Sequence, residues 1–187
     1  MKTHLTKKDI IGALNRLNQE LQKAGTKAEI CLYGGTSMVL AFNARLSTKD
    51  VDAIFKPKDI IRKLAEKIAG ELNLEKDWLN DGVKRFVSAK AKFTNRGVGK
   101  FSNIEVTRPT ADYLLAMKCM AARAPGYDTQ GDRADILFLM RRLKITTERA
   151  ALDLIESFYP RERIAPKTQF FVMECLAELK SEKQIEI

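Results

Sequence analysis

Two acids two residues apart, Asp50 and Asp52, and a glycine pair followed by two hydroxyl residues, Gly34-Gly35-Thr36-Ser37, are the stretches of this chain whose residue types and spacing could do chemistry. On an extended strand, residues i and i+2 leave the same face. Both carboxylates would therefore emerge together, roughly 7 Å apart at the backbone, with Val51 and Ile54 expected on the opposite side. Such a pair can hold a hard divalent cation through oxygen, and a two-ion site for phosphoryl transfer needs carboxylates converging on ions about 3.5–4 Å apart. The paired glycines let the backbone turn tightly and approach a phosphate, and a helix begun at Thr36 would aim its first amides at an anion. Either motif alone would be an ordinary turn or strand edge; in this order they read as a site for a phosphate-bearing ligand and a metal.

Regular elements must hold these residues in place. Thr6 with Asp9 resembles a capping box, and Ile10, Leu14, Leu17 and Leu21 follow at helical spacing up to Gly25. A buried strand is predicted over residues 27–33, a short helix over 36–43, and a second strand over 50–55 carrying the acids. Pro57 opens a further helix whose Ile60, Ile61, Leu64, Ile68 and Leu72 would pack on the sheet while its lysines face solvent. Residues 86–93 and 100–106 flank Thr94-Asn95-Arg96-Gly97-Val98-Gly99, whose turn chemistry predicts a hairpin with Glu105 near the end of its second strand. Pro109 opens a helical region to Arg123, in which Lys118 interrupts an apolar succession and so needs a partner or a path to solvent. A loop with Pro125, Gly126 and Gly131 leads to a helix containing Asp132 and Asp135. Two more helices are predicted, one begun at Thr146-Thr147 and ended by Pro160, the last after Pro166.

Composition bounds the function. With 187 residues and 45% hydrophobic content the chain can bury a sizeable core. It has no apolar run of about 18 residues, and its N-terminus, with Lys2, Lys7, Lys8 and Asp9, lacks the apolar core of a signal peptide. The expectation is a cytoplasmic protein without membrane partners. Cys31, Cys119 and Cys175 are widely spaced and set among apolar neighbours, which favours reduced thiols over a disulfide frame or a zinc site. His4 is the sole histidine, so histidine triads and multi-histidine metal sites are excluded.

The order of glycine pair, hydroxyl residue, short helix and acid-apolar-acid strand resembles the DNA polymerase β-like nucleotidyltransferase superfamily. Arg45 and Thr48-Lys49-Asp50-Val51-Asp52 resemble its AbiEii-type branch, which contains many nucleotidyltransferase toxins of bacterial toxin-antitoxin systems. The gap between Gly35 and Asp50 is long for the superfamily and suits that branch. The resemblance runs from about Glu29 to Leu143. It implies an α/β (α+β) nucleotidyltransferase fold, a small mixed sheet flanked by helices, with a nucleotidyltransferase domain over residues 1–143 and a C-terminal helical extension over 144–187.

The same resemblance implies the site. Asp50 and Asp52 would bind two Mg²⁺ ions; Gly34, Gly35, Thr36 and Ser37 would cradle the β- and γ-phosphates of a nucleoside triphosphate; Arg45, Lys49 and Lys118 would offset their charge. In the superfamily a third acid on a comparable strand often draws a proton from the attacking hydroxyl, which makes Glu105 the candidate base. In the AbiEii-type branch a lysine on one helix and an aspartate at the start of the next complete the site. The matching pair here is Lys118 and Asp132, with Asp135 as the competing match and Arg123 and Asp128 as weaker candidates.

The implied reaction moves a nucleoside monophosphate to an acceptor hydroxyl with release of pyrophosphate. The formal net charge of +9, with seven basic residues against Glu105 alone between Lys84 and Arg108, suggests a polyanionic acceptor. The resemblance points to the 3′ end of tRNA and to a toxin restrained by a cognate antitoxin. The alternatives are transfer to a protein or to an aminoglycoside-like small molecule, and an inert RNA-binding or antitoxin-type module of the same fold. Stacking on single-stranded RNA has little support from a chain only 7% aromatic.

Overall fold

The computed structural model describes residues 1–122 and 130–185 and has a mixed α/β fold, as expected. Arg123 and Asp128 lie outside the described residues. Among these residues are seven α-helices and a five-stranded mixed sheet, which forms one of two compact units: Met1–Arg85 with Phe93–Pro109, and Phe86–Lys92 with Thr110–Ile187. Residues 110–143, assigned from sequence to the nucleotidyltransferase domain, cluster with the C-terminal helices in the second unit.

In the first unit, α1 (Lys7–Lys23) starts at the expected capping box, in which the Thr6 hydroxyl accepts from the Asp9 amide and the Asp9 carboxylate accepts from the Thr6 amide. Its Ile10, Ala13, Leu14, Leu17 and Leu21 form the buried stripe that 3.6-residue periodicity demands. The strands of the main sheet are β2 (Ala28–Leu32), β4 (Val51–Lys56), β5 (Leu79–Asn80), β6 (Phe93–Thr94) and β7 (Ile104–Pro109), in the order β5-β4-β2-β7-β6. Pairs β2/β7 and β4/β5 are parallel, β2/β4 and β6/β7 antiparallel. A separate two-stranded piece pairs β1 (Leu5–Thr6) with β3 (Ser47–Thr48).

On the core side of the sheet, Ile30, Leu32, Val51, Ala53 and Phe55 join the α1 stripe and Ile61, Ala65 and Ile68 of α3 (Lys58–Leu72) in one cluster. Trp78 is buried there, its indole N–H donating to the Ala65 carbonyl at 3.0 Å. Truncating one such side chain, Leu17→Ala for example, removes about 2–5 kcal/mol. α3 differs from expectation in one residue: Ile60 is exposed, because Ile61, a residue further round, takes the core-facing position.

Period-two alternation also corrects the expected face of Ile54. Val51, Ala53 and Phe55 are buried, so Ile54 shares the opposite, half-exposed side with Asp52.

The predicted hairpin survives as two residue pairs, Phe93 with Pro109 and Thr94 with Arg108. Residues 86–92 are not a strand, because their backbone groups have other partners in the second unit. The Ser88 amide donates to the Tyr113 hydroxyl at 2.8 Å, the Ser88 hydroxyl donates to the Phe158 carbonyl, and the Tyr159 hydroxyl donates to the Phe86 carbonyl. In that unit α4 (Ala111–Ala121), α5 (Gln130–Leu143), α6 (Glu148–Glu156) and α7 (Pro166–Ile185) pack on one another. Arg133 of α5 pairs with Glu174 and Glu178 of α7. No helix among the described residues is long and apolar enough to cross a membrane.

Candidate functional site

The site grows from the end of β2. Tyr33 remains extended and its amide donates to the Asp52 carbonyl at 2.8 Å, which continues the β2/β4 ladder by one pair. The chain then turns at Gly34, with φ at +53°, into α2 (Gly34–Leu40). Both glycines are there because side chains of the second motif press on them. A Cβ at Gly34 would lie 2.8 Å from Asp52 Oδ2, and one at Gly35 would lie 2.5 Å from Thr48 Oγ1 and 3.5 Å from an Arg45 guanidinium nitrogen. The two motifs read from sequence are therefore physically interlocked, and Asp52, Thr48 and Arg45 converge on the glycine turn.

Asp50 lies just before β4 rather than in it, so its side-chain direction is not fixed by the pleat. Asn80 of β5 fixes it instead, donating from Nδ2 to Asp50 Oδ2 at 2.8 Å. Partial burial pushes the Asp50 carboxyl above the usual carboxylate range and nearby Asp77 adds to this, against the opposing hydrogen bond from Asn80. One carboxylate, that of Asp52, thus lies against the glycine turn, and the other, that of Asp50, is held beside Asn80 with an ionised form that burial disfavours. Asn80 was missed from sequence, because a two-residue strand after Trp78 carries no periodic signal.

Thr36 and Ser37 do not line the site as expected. Both are fully buried. The Thr36 hydroxyl donates to the Asp50 carbonyl at 3.1 Å and the Ser37 hydroxyl to the Leu32 carbonyl at 2.9 Å. They brace the turn and the loop carrying Asp50, and they do not offer hydroxyls to a phosphate. Arg45 is half-buried and Lys49 exposed, both in the segment that leads to Asp50.

Glu105 is also corrected. Its strand does not neighbour that of the acids, since β2 lies between β7 and β4. Glu105 pairs with Glu29, which pairs with Lys56, so Glu105 is level with the far end of β4. It shares a face with Asp52 but sits four residues, about 13 Å, down the strand direction and two strands, about 10 Å, across. Its surroundings are a separate depression lined also by Lys27, Glu29, Lys56 and Asn103. A side chain there cannot take a proton beside Asp50.

Within the second unit, Lys118 and the two aspartates of α5 come together. Lys118 Nζ is 2.6 Å from Asp135 Oδ2 and 3.3 Å from Asp132 Oδ1. The Asp135 side chain is 1% exposed and that of Asp132 38%, so the competing match makes the closer and more buried pair. The cysteines are free thiols, and burial pushes those of Cys31, Cys119 and Cys175 up, Cys175 to about 11.

No cluster of three or more His, Cys, Asp or Glu side chains suited to a metal occurs among the described residues. The pair Asp50 and Asp52 nonetheless fits Mg²⁺, a cation that proteins hold through one or two carboxylates with waters and substrate phosphates completing the shell. A family model for nucleotidyltransferases of unknown function (DUF6036) matches residues 10–136. No curated protein and no solved structure matches the chain.

Proposed function

Because the chain belongs to that DUF6036 family of nucleotidyltransferases, we propose that Asp50, Asp52 and the Gly34-Gly35 turn are its transfer site, moving a nucleoside monophosphate to an acceptor hydroxyl with release of pyrophosphate. The observation that carries this reading is the interlock: the space a side chain at either glycine would need is taken by Asp52, Thr48 and Arg45. The fit puts the Asp52 carboxylate and the Arg45 guanidinium against the turn, the two charges that a metal-bound polyphosphate needs beside it.

Asp50 and Asp52 would hold Mg²⁺, two ions in the full site, which when bound offsets charge on the phosphates and the leaving pyrophosphate. The residues of the chain do the rest. Asn80 aims Asp50 and Thr36 fixes the Asp50 backbone, and the Gly34-Gly35 backbone would face the phosphates. Arg45 and Lys49 add positive charge from the segment leading to Asp50; the family resemblance would give Lys118, which pairs with Asp135 and Asp132 in the second unit, the same task.

The acceptor in this reading is RNA, at the 3′ end of tRNA, and the biology that of a toxin restrained by an antitoxin. The net charge of +9 and the similarity of Arg45 and Thr48–Asp52 to AbiEii-type toxins support it. The test is incubation of the protein and its Asp50→Ala variant with total tRNA, Mg²⁺ and each α-³²P-labelled nucleoside triphosphate. Label on tRNA with the unaltered protein alone is expected. Label only on an added protein or aminoglycoside overturns the RNA acceptor, and no transfer to any of the three overturns the enzyme.

A further inference from the structure

The sheet register places one exposed aromatic ring in line with the carboxylates. Asp52 is level with Asn80 on one side and, through the Tyr33 amide bond, with Tyr33 on the other. Continuing the β2/β7 register two residues beyond Cys31 and Thr107 brings Tyr33 opposite Pro109, and Pro109 pairs with Phe93. Residues level with one another across a sheet share a face. Phe93, Pro109, Tyr33, Asp52 and Asn80 thus form one row on one side, and the Tyr33 and Phe93 rings meet edge to face with centroids 6.3 Å apart.

Phe93 is 46% exposed while Tyr33 is 1% exposed. Other large apolar side chains are also exposed, Phe170, Met173, Leu46 and Ile60 among them, but none belongs to this row. The strand carrying Phe93 is held firmly. Arg108 is buried, lies 4.6 Å from the Phe42 ring centroid, and donates to the Arg96 carbonyl at 2.9 Å and to that of Pro109 at 2.8 Å. Gly97, with φ at +80°, lets the turn after Phe93 press on Ala41 at the end of α2. A fixed ring with a solvent-facing surface can stack a planar ligand with little ordering cost. Three strand spacings, about 14 Å, separate Phe93 from Asp52 at the backbone, a span that a nucleotide with its triphosphate chain bridges.

We propose that Phe93 is the nucleobase-stacking residue of this site, so that the nucleoside lies toward the β6 edge of the sheet while its phosphates reach Gly34, Gly35 and Asp52. The proposal rests on the reading of that site as a nucleoside triphosphate site. It assigns Phe93 to the base alone.

The test compares binding of Mg²⁺-nucleoside triphosphates with binding of Mg²⁺-tripolyphosphate, which has the phosphates and no base. Phe93→Ala is expected to weaken triphosphate binding about tenfold or more and to leave tripolyphosphate within about twofold of the unaltered protein. Phe93→Trp restores nucleotide affinity, and its emission is quenched by nucleoside triphosphate and not by tripolyphosphate. Equal nucleotide affinity in Phe93→Ala and the unaltered protein overturns the assignment, as does parallel loss of tripolyphosphate. If the unaltered protein binds neither ligand, the nucleotide site itself is overturned. That failure is distinct from a Phe93 variant that binds both normally.

Discussion

Asp52 and Glu105 are acids on the same face of the same sheet, and their surroundings could hardly differ more. At the Asp52 end a glycine turn is pressed against the carboxylate, Asn80 holds a second carboxyl, and buried hydroxyls brace the loop between them. At the Glu105 end, Glu29, Lys56 and Glu105 form an exposed row over an open depression. What separates them is what the neighbouring strands bring level with each acid. A carboxylate becomes a candidate for chemistry when other residues give up space and hydrogen bonds to position it.

The same contrast recurs in the helical unit and gives the largest expected effect on stability. Asp135 is buried against Lys118 while Asp132 is part-exposed and further away. Asp135→Asn leaves the buried Lys118 ammonium with only the longer contact to part-exposed Asp132 and should lower unfolding free energy by about 2–4 kcal/mol in urea titration. Asp132→Asn should cost no more than about 1 kcal/mol. Equal losses would remove the distinction between the two aspartates.

Glycine substitutions sharpen the contrast next. Gly34→Ala meets both a positive φ and Asp52 Oδ2, and Gly35→Ala meets Thr48 Oγ1, so each should cost about 1–3 kcal/mol. Gly70→Ala in α3 meets nothing within 4 Å and should stabilise by about 0.5–1 kcal/mol. Chemical denaturation of the three variants checks the order.

Thr36→Val tests whether the hydroxyl braces the turn. Loss of its bond to the Asp50 carbonyl should cost about 1–2 kcal/mol, visible as a lower melting temperature without any ligand present.

Smallest is the effect at Glu20, an acid on the core side of the first unit. Lys67, then Lys23 and Arg16, hold its carboxyl well below the usual range. A depressed carboxylate stabilises the fold above its unfolded pKa of about 4.5 and loses that contribution as pH falls. Glu20→Gln should therefore melt below the unaltered protein at pH 7, with the gap closing below about pH 4.5.

The sequence reading succeeded where residue type and spacing carry a specific physical demand. The capping box and the α1 stripe occur where expected, and the two motifs fall at a turn into a helix and at a strand, although α2 opens at Gly34 rather than Thr36 and Asp50 lies one residue before β4. It failed where the answer depends on register. That Glu105 is level with Lys56 follows from which strands pair, and alternation within one strand carries no such information. Thr36 and Ser37 misled for a different reason: a hydroxyl after a glycine turn suits a phosphate or a backbone carbonyl equally, and only burial separates the two. Asn80 and Phe93 sit on two-residue strands, too short to show a period.

The measurement closest to the central claim is nucleotidyl transfer, read with α-³²P-labelled nucleoside triphosphates, by Asp52→Asn and Glu105→Gln side by side. Transfer should fall by at least about a hundredfold in Asp52→Asn and stay within about twofold in Glu105→Gln, with both variants folded. Retained transfer in Asp52→Asn, or its loss in a folded Glu105→Gln, would contradict the assignment of the reaction to the glycine-turn end of the sheet.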